Sequence, residues 1–378
     1  MNKKSLALIL VVSLALTAFA LMGGAQTRPV TAAAATVVAP APAAPLDLLP
    51  PSDLVAFVNV KRLITEAAPK VFADDPAKLA EFNAEIDGFK TKTGIDARSF
   101  DSIAVGMRYL NPAPGVTTAD TVVIAQGTFN AGALVAAGRV AAKGKFQEQK
   151  YKDSTIYIFA VNDQVNVPRL MNMTVRELAM TTLDANTLAF GELPAVRATL
   201  DARSGLTGTT RANADLVQLA QRSPNALMGF SANVPPSLAK SIEIPNDEIS
   251  RLLGSIRQAY GSVGATANGF SLLTIARTEK ADDAQSLSDT LSALKQFGVV
   301  VAGQLPAEQS KLAQNALESM KISAAGNETS VSFELQQSDI STLLRVLRPK
   351  TQNAGPNEVN LPPEGHRNLG DPKGSNPE

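Results

Sequence analysis

Gly261-Ser262-Val263-Gly264-Ala265-Thr266-Ala267-Asn268-Gly269-Phe270-Ser271-Leu272-Leu273-Thr274-Ile275-Ala276-Arg277 is the stretch that decides the fold class. Two β-rich runs, 261–267 and 270–277, flank Asn268-Gly269, a pair suited to the positive dihedral angles of a two-residue hairpin turn. Strands joined so tightly must be antiparallel, because a parallel pair needs a crossover of a dozen or more residues. Helical patterns lie on either side. Upstream, 247–258 follows Asn246, a capping residue type; downstream, 283–301 carries Leu287, Leu291, Leu294 and Phe297 at helical intervals, as one side of an amphipathic helix. Hairpins alternating with helices predict an α+β fold with antiparallel sheets and helices packed on one face, not a doubly wound parallel sheet.

Outward from this hairpin the same order recurs. Strand 226–234 enters Pro235-Pro236, helix 306–319 follows the amphipathic one, 321–335 folds back at Gly326-Asn327, and a last helix from Ser338 carries Ile340, Leu343, Leu344 and Leu347. In the first half, strand 55–60 follows Pro50-Pro51-Ser52-Asp53. A helix spans 75–92, with Asp75 as its cap and Pro76 in its first turn. Strands 103–109 and 121–129 form a hairpin, 131–143 a helix, 151–161 and 178–191 further strands with a turn at Asp184-Ala185-Asn186, and 193–203 a helix stopping at Gly205. Both halves read strand, helix, hairpin, helix, hairpin, helix. The pattern predicts an internal duplication, with a first unit over 47–208 and a second over 209–349.

The ends carry other information. Lys3 and Lys4, the uncharged run Leu6–Met22 and the small residues Gly23-Gly24-Ala25 read as a signal peptide over 1–25 cleaved after Ala25, or as a short uncleaved signal anchor. The Ala/Pro-rich linker 26–46, with Ala39-Pro40-Ala41-Pro42, favours extended polyproline II geometry. The tail 350–378 is rich in Asn, Gly and Pro, has no apolar period and reads as disordered. The expected location is outside the cytoplasm: periplasm, cell surface or secreted. Contact with a membrane is expected only through an uncleaved anchor.

Composition removes much chemistry. The 378 residues include no Cys, no Trp and one His, and that His366 lies in the tail. Thiol nucleophiles, iron–sulfur sites, Cys-containing zinc sites, Ser-His-Asp catalysis and lipoprotein acylation are therefore closed. The 35 basic and 35 acidic side chains cancel. The densest basic cluster, Lys143, Lys145, Lys150 and Lys152, is interrupted by Gln147, Glu148 and Gln149 and reads as a solvated face, so no nucleic-acid partner is expected.

Three stretches carry a family resemblance: Leu49-Pro50-Pro51-Ser52-Asp53-Leu54-Val55-Ala56-Phe57-Val58-Asn59-Val60, Leu188-Ala189-Phe190-Gly191-Glu192-Leu193-Pro194-Ala195-Val196-Arg197-Ala198, and Ile275-Ala276-Arg277-Thr278 with Asp283-Ala284. Together they resemble a diffuse group of bacterial exported proteins classed as domains of unknown function, with a signal segment, a Pro/Ala-rich spacer and an α+β domain. The resemblance covers 47–349 and implies neither a reaction nor site residues.

The remaining motifs are weak. Ser237-Leu238-Ala239-Lys240 and Lys92-Thr93-Gly94 are two pieces of a serine β-lactamase signature in the wrong order, and Ser292-Ala293-Leu294-Lys295 repeats the first spacing inside a helix pattern. Gly138 and Gly144-Lys145 miss phosphate-loop spacing, and Phe146 stands where a hydroxyl is required. Asp74-Asp75 and Asp282-Asp283 lie at helix starts, where carboxylates complement exposed amides. Met171, Met173 and Met180 suit core filling or an apolar groove, and the insertion Val165–Thr174 reads as a binding loop. No catalytic, cofactor-binding or metal residues are assigned, and no cofactor is expected. The leading expectation is a non-enzymatic binding or scaffolding protein of the bacterial cell envelope, its partner an unidentified protein. The alternatives are a carrier of a small apolar ligand between sheet and helices, and a hydrolase using carboxylates only.

Overall fold

Leu54–Val58, the strand following Pro50–Asp53, is β1 and lies near the middle of one twelve-stranded sheet. The computed structural model describes residues 44–346 apart from 114–115, 143–144, 168–170, 205–210 and 236–246. The signal segment, most of the linker, Ser237, Lys240 and His366 lie outside the described residues.

After β1 come a helical stretch α1 (60–71, with a π turn over Leu63–Ala67), α2 (Pro76–Thr93), β2 (Phe100–Ala113), β3 (Val116–Gly127) and α3 (Ala131–Ala141). Four strands follow, β4 (Phe146–Tyr151), β5 (Ser154–Val167), β6 (Met171–Thr182) and β7 (Thr187–Gly191), then α4 (Leu193–Arg203). The second half comprises α5 (Ala214–Ala220), β8 (Ala226–Asn233), α6 (Asp247–Ser255), β9 (Ile256–Thr266), β10 (Gly269–Thr278), α7 (Ala281–Ala302), α8 (Ala307–Ser319), β11 (Lys321–Ala325), β12 (Glu328–Gln336) and α9 (Gln337–Val346).

Every pairing is antiparallel, in the order β11-β12-β10-β9-β8-β1-β2-β3-β7-β6-β5-β4. The fold is α+β. The β9–β10 hairpin forms, but its turn is displaced by one residue from the reading: Thr266 pairs with Gly269, so Ala267-Asn268 make the turn and Gly269 opens β10. A side chain at 269 would meet the Leu335 carbonyl of β12, so the strand needs Gly there.

The two halves of the chain share this sheet. β1 pairs with β8, Val55 opposite Ser231 and Phe57 opposite Gly229. From that seam the first half runs β1-β2-β3-β7-β6 and the second β8-β9-β10-β12-β11, with β5 and β4 added beyond β6.

Helices are expected on one face and occupy both. Consecutive strand residues alternate between two cores: Ala104, Ile124, Ile156, Ala179 and Ala189 pack with α4 and α5, whereas Ile103, Ala125, Tyr157, Met180 and Leu188 pack with α3. We call these the front and back faces. The cause is visible in β3, where Val122, Val123, Ile124 and Ala125 are all buried; such a run requires cover on both sides. In the second half α1 and α9 lie on the back, through Ala67 and Ile340 against Phe270. The Ala284 carbonyl of α7 accepts the Thr329 hydroxyl at 2.7 Å.

Helix starts follow the capping chemistry. Asp75 accepts the Lys78 amide at 3.1 Å and caps α2, and Asn130 accepts the Ala133 amide at 3.0 Å and caps α3. Asn130→Ala is expected to cost about 1 kcal/mol in urea unfolding. An unchanged midpoint would show that the cap contributes nothing.

Two expected boundaries move. The helix read through Gln258 ends at Ser255, because Gln258 is taken into β9 opposite both Asn233 and Arg277. The insertion Val165–Thr174 is largely strand: β5 runs to Val167 and β6 starts at Met171, pairing Val165 with Met173 and Val167 with Met171, and 168–170 lie outside the described residues.

Candidate functional site

The densest polar cluster crosses the front face of the second half. Asn233, Gln258, Arg277 and Glu328 stand directly opposite one another on β8, β9, β10 and β12. Gln258 donates to Asn233 at 3.1 Å and accepts from Arg277 at 2.6 Å. Glu328 Oε1 accepts Arg277 Nε at 3.0 Å, Arg277 Nη2 at 2.7 Å and the Tyr260 hydroxyl at 2.9 Å. Arg222, just after α5, donates to the Tyr260 oxygen and lies 3.7 Å from Glu328 Oε2. Both guanidinium groups lie near the Tyr260 ring, 5.4 and 5.8 Å from its centroid.

Burial and the bond to Glu328 push the Tyr260 hydroxyl up to about 12. Burial opposes ionisation of Glu328, but hydrogen bonds from Arg277 and Tyr260 and the two positive charges outweigh it, holding the carboxyl below its ordinary value. Near neutrality the cluster thus holds a protonated phenol and an ionised carboxylate whose Oε1 takes three hydrogen bonds, which braces β9, β10 and β12 across the sheet.

A cavity of about 430 Å³ opens on the back face between α3 and the ends of β5 and β6. Arg139, Arg203, Tyr157, Ser154, Thr155 and Thr182 line it over Val135 and Leu183. Its cations are engaged: Arg139 pairs with Glu148 at 3.0 Å, and Arg203 donates to the Leu183 carbonyl and, at 3.4 Å, to Ser154. The lining is polar, unlike the apolar space a carrier would need.

The third feature is the tip of the α7–α8 hairpin. Ala284, Leu287 and Ser288 of α7 are buried, and Asp283 is braced by Arg251 at 3.2 Å. Past Lys295 Ala302 is still buried, but most of the helix surface leaves this support. Phe297 is 66% exposed and Val300 64%, and Leu294, Val299, Val301 and Leu305 are exposed too. The expected amphipathic face thus divides: Leu287 is buried, and Leu294 and Phe297 face outward. Residues 296–307 contain no charged side chain.

The sequence candidates do not converge. Lys92-Thr93-Gly94 is the end of α2, where the Gly94 amide, at φ 73°, donates to the Lys90 carbonyl. Lys295 donates to the Met320 carbonyl at 2.5 Å, so its amine is not poised beside Ser292. Gly138 lies inside α3 against the Phe159 ring. Asp282 and Asp283 occupy the first turn of α7. Lys150 donates to Thr155 and Lys152 pairs with Asp201. Met180 packs in the back core. Among the described residues no group of three or more His, Cys, Asp or Glu is placed to hold a metal, and no helix is long and apolar enough to cross a membrane.

No family model matches the chain, and no curated protein does. Among solved structures it is similar to TP0453 in crystal form III, at 8% identity and a TM-score of 0.40 over 81% of this chain and 99% of that one. Crystal form I of TP0453 gives 9% identity and a TM-score of 0.40 over 81% and 98%.

Proposed function

We propose that the protein is an exported, non-enzymatic binding or scaffolding protein of the bacterial cell envelope, and that it binds through the α7–α8 tip. The observation that carries this reading is the exposure of Leu294, Phe297, Val299, Val300, Val301 and Leu305 together. Scattered surface apolar residues are ordinary, but three consecutive exposed valines beside an exposed Phe mark a surface meant to be covered. Export rests on the N-terminal sequence pattern. An internal duplication belongs to the same proposal, supported by the matching order of β1-β2-β3-β7-β6 and β8-β9-β10-β12-β11 outward from the seam.

The absence of Cys makes a direct test available. Val300→Cys supplies a single thiol at the tip, and Ala84→Cys a control on the exposed side of α2. Maleimide labelling of Val300→Cys is expected to be several-fold slower in intact cells than in the purified protein, with Ala84→Cys labelled alike in both. Equal labelling of Val300→Cys in both settings overturns the reading.

A further inference from the structure

Building on that reading, we propose that the α7–α8 tip inserts shallowly into a lipid bilayer. Four observations favour a lipid surface over a protein partner. The first is the distribution of exposure around the helix. Successive residues turn about 100°, so Val299, Val300 and Val301 point in three directions, and all three are exposed, while Ala302 is buried and Gly298 lies against the Leu317 side chain of α8. A protein groove covers one stripe of a helix and leaves the rest in water. A fluid apolar medium covers the whole arc that α8 leaves open.

The second is charge. Lys295 and Glu308 bracket the uncharged run 296–307, and Lys295 is turned back to the Met320 carbonyl at the base of the hairpin. Charged side chains are costly at bilayer depth, and here they stop where the exposed apolar residues begin.

The third is the backbone. Lipid offers no hydrogen bonds, so the end of a helix placed there must satisfy its own carbonyls. Gly303 donates to Val299, Gln304 to Val301 at 3.0 Å, and Leu305 to Ala302 at 3.2 Å. Pro306 then opens α8 without an amide donor of its own.

The fourth is length. Leu294 to Ala302 rises about 12 Å, which suits interfacial insertion and falls well short of the roughly 30 Å hydrocarbon core.

The chain has no Trp, so Phe297→Trp installs a single tryptophan at the tip, excited selectively beyond the absorption of the four Tyr, while keeping a large apolar side chain. Full-length Phe297→Trp is mixed with vesicles of phosphatidylethanolamine and phosphatidylglycerol, with Ala84→Trp as control. The expected result is a blue shift and quenching by acyl-brominated lipid for Phe297→Trp alone, insensitive to salt. Adding Val300→Ser should weaken the response about tenfold, the order expected for losing one buried apolar side chain. Absence of a shift while the chain co-sediments with vesicles overturns the proposal. So does a shift that appears without lipid and grows with protein concentration, because a second copy then covers the tip. Protection of Val300→Cys in cells with no response in vesicles leaves the binding reading standing and removes the lipid assignment.

Discussion

Gly229→Val is expected to destabilise the fold by at least about 3 kcal/mol, the upper range for overpacking, because the obstruction is backbone rather than a movable side chain. Gly229 lies on the front face of β8, opposite Phe57 of β1 at the seam between the halves. A Cβ there would overlap the Ala220 carbonyl oxygen and stand 2.6 Å from the Phe57 ring. The Ala220 carbonyl belongs to the last turn of α5, which is held on β8 by the buried Ser231 hydroxyl donating to the Leu216 carbonyl at 2.5 Å. A side chain at 229 would lift α5 and open the core around Leu216, which is fully buried. Urea unfolding followed by circular dichroism reads the effect. A midpoint within experimental error of wild type would show that α5 does not sit on β8 at backbone contact.

Glu328→Ala is expected to cost about 2 kcal/mol near neutrality, since it strands Arg277 and the Tyr260 hydroxyl in a half-buried site. The figure stays below that of a fully buried ion pair because Arg222 is 46% exposed and its share is screened. The pH dependence has two limbs. The folded state holds Glu328 below 4.5, so its contribution is complete above that value and is lost as pH falls through the folded pKa. The folded state raises Tyr260 from 10 to about 12, so its contribution is complete below 10 and is lost as pH rises towards 12. In Glu328→Ala this acid limb should vanish and the alkaline limb, which starts from 10 in both proteins, should become smaller and end at lower pH. Unfolding midpoints measured across both ranges test this; parallel wild-type and variant profiles would show that Glu328 is uncoupled from stability.

Signals contained within a few residues are legible in the amino-acid sequence. The β9–β10 hairpin turns within one residue of Asn268-Gly269, Gly326 and Asn327 stand between β11 and β12, and Asp75 with Pro76 starts α2, because each choice is settled by local dihedral angles and one or two hydrogen bonds. The brace is not legible. Tyr260 and Glu328 are 68 residues apart, and Arg222 and Tyr260 are 38 apart, so no spacing rule joins them. Cover on both faces has a trace, the apolar run Val122–Ala125, which period-two reading passes over because it does not alternate. The extension of β5 and β6 into 165–174 has a trace as well, the alternation of Val165-Asn166-Val167 and Met171-Asn172-Met173-Thr174-Val175, which the reading as an insertion passes over.

From the sequence by itself come the antiparallel hairpins, the capped helices, the α+β class and a chemistry without thiol or indole and with a single imidazole. All of these depend on composition or on contacts between near neighbours in the chain. Tertiary structure decides the rest: the β1–β8 seam that makes one sheet, the use of both its faces, and the direction of Leu294 and Phe297. Those two residues have the spacing of a core stripe, yet α7 runs past the support on which Ala284 and Leu287 are buried. Periodicity states which residues share a side of a helix. Whether anything covers that side depends on elements brought together from distant parts of the chain.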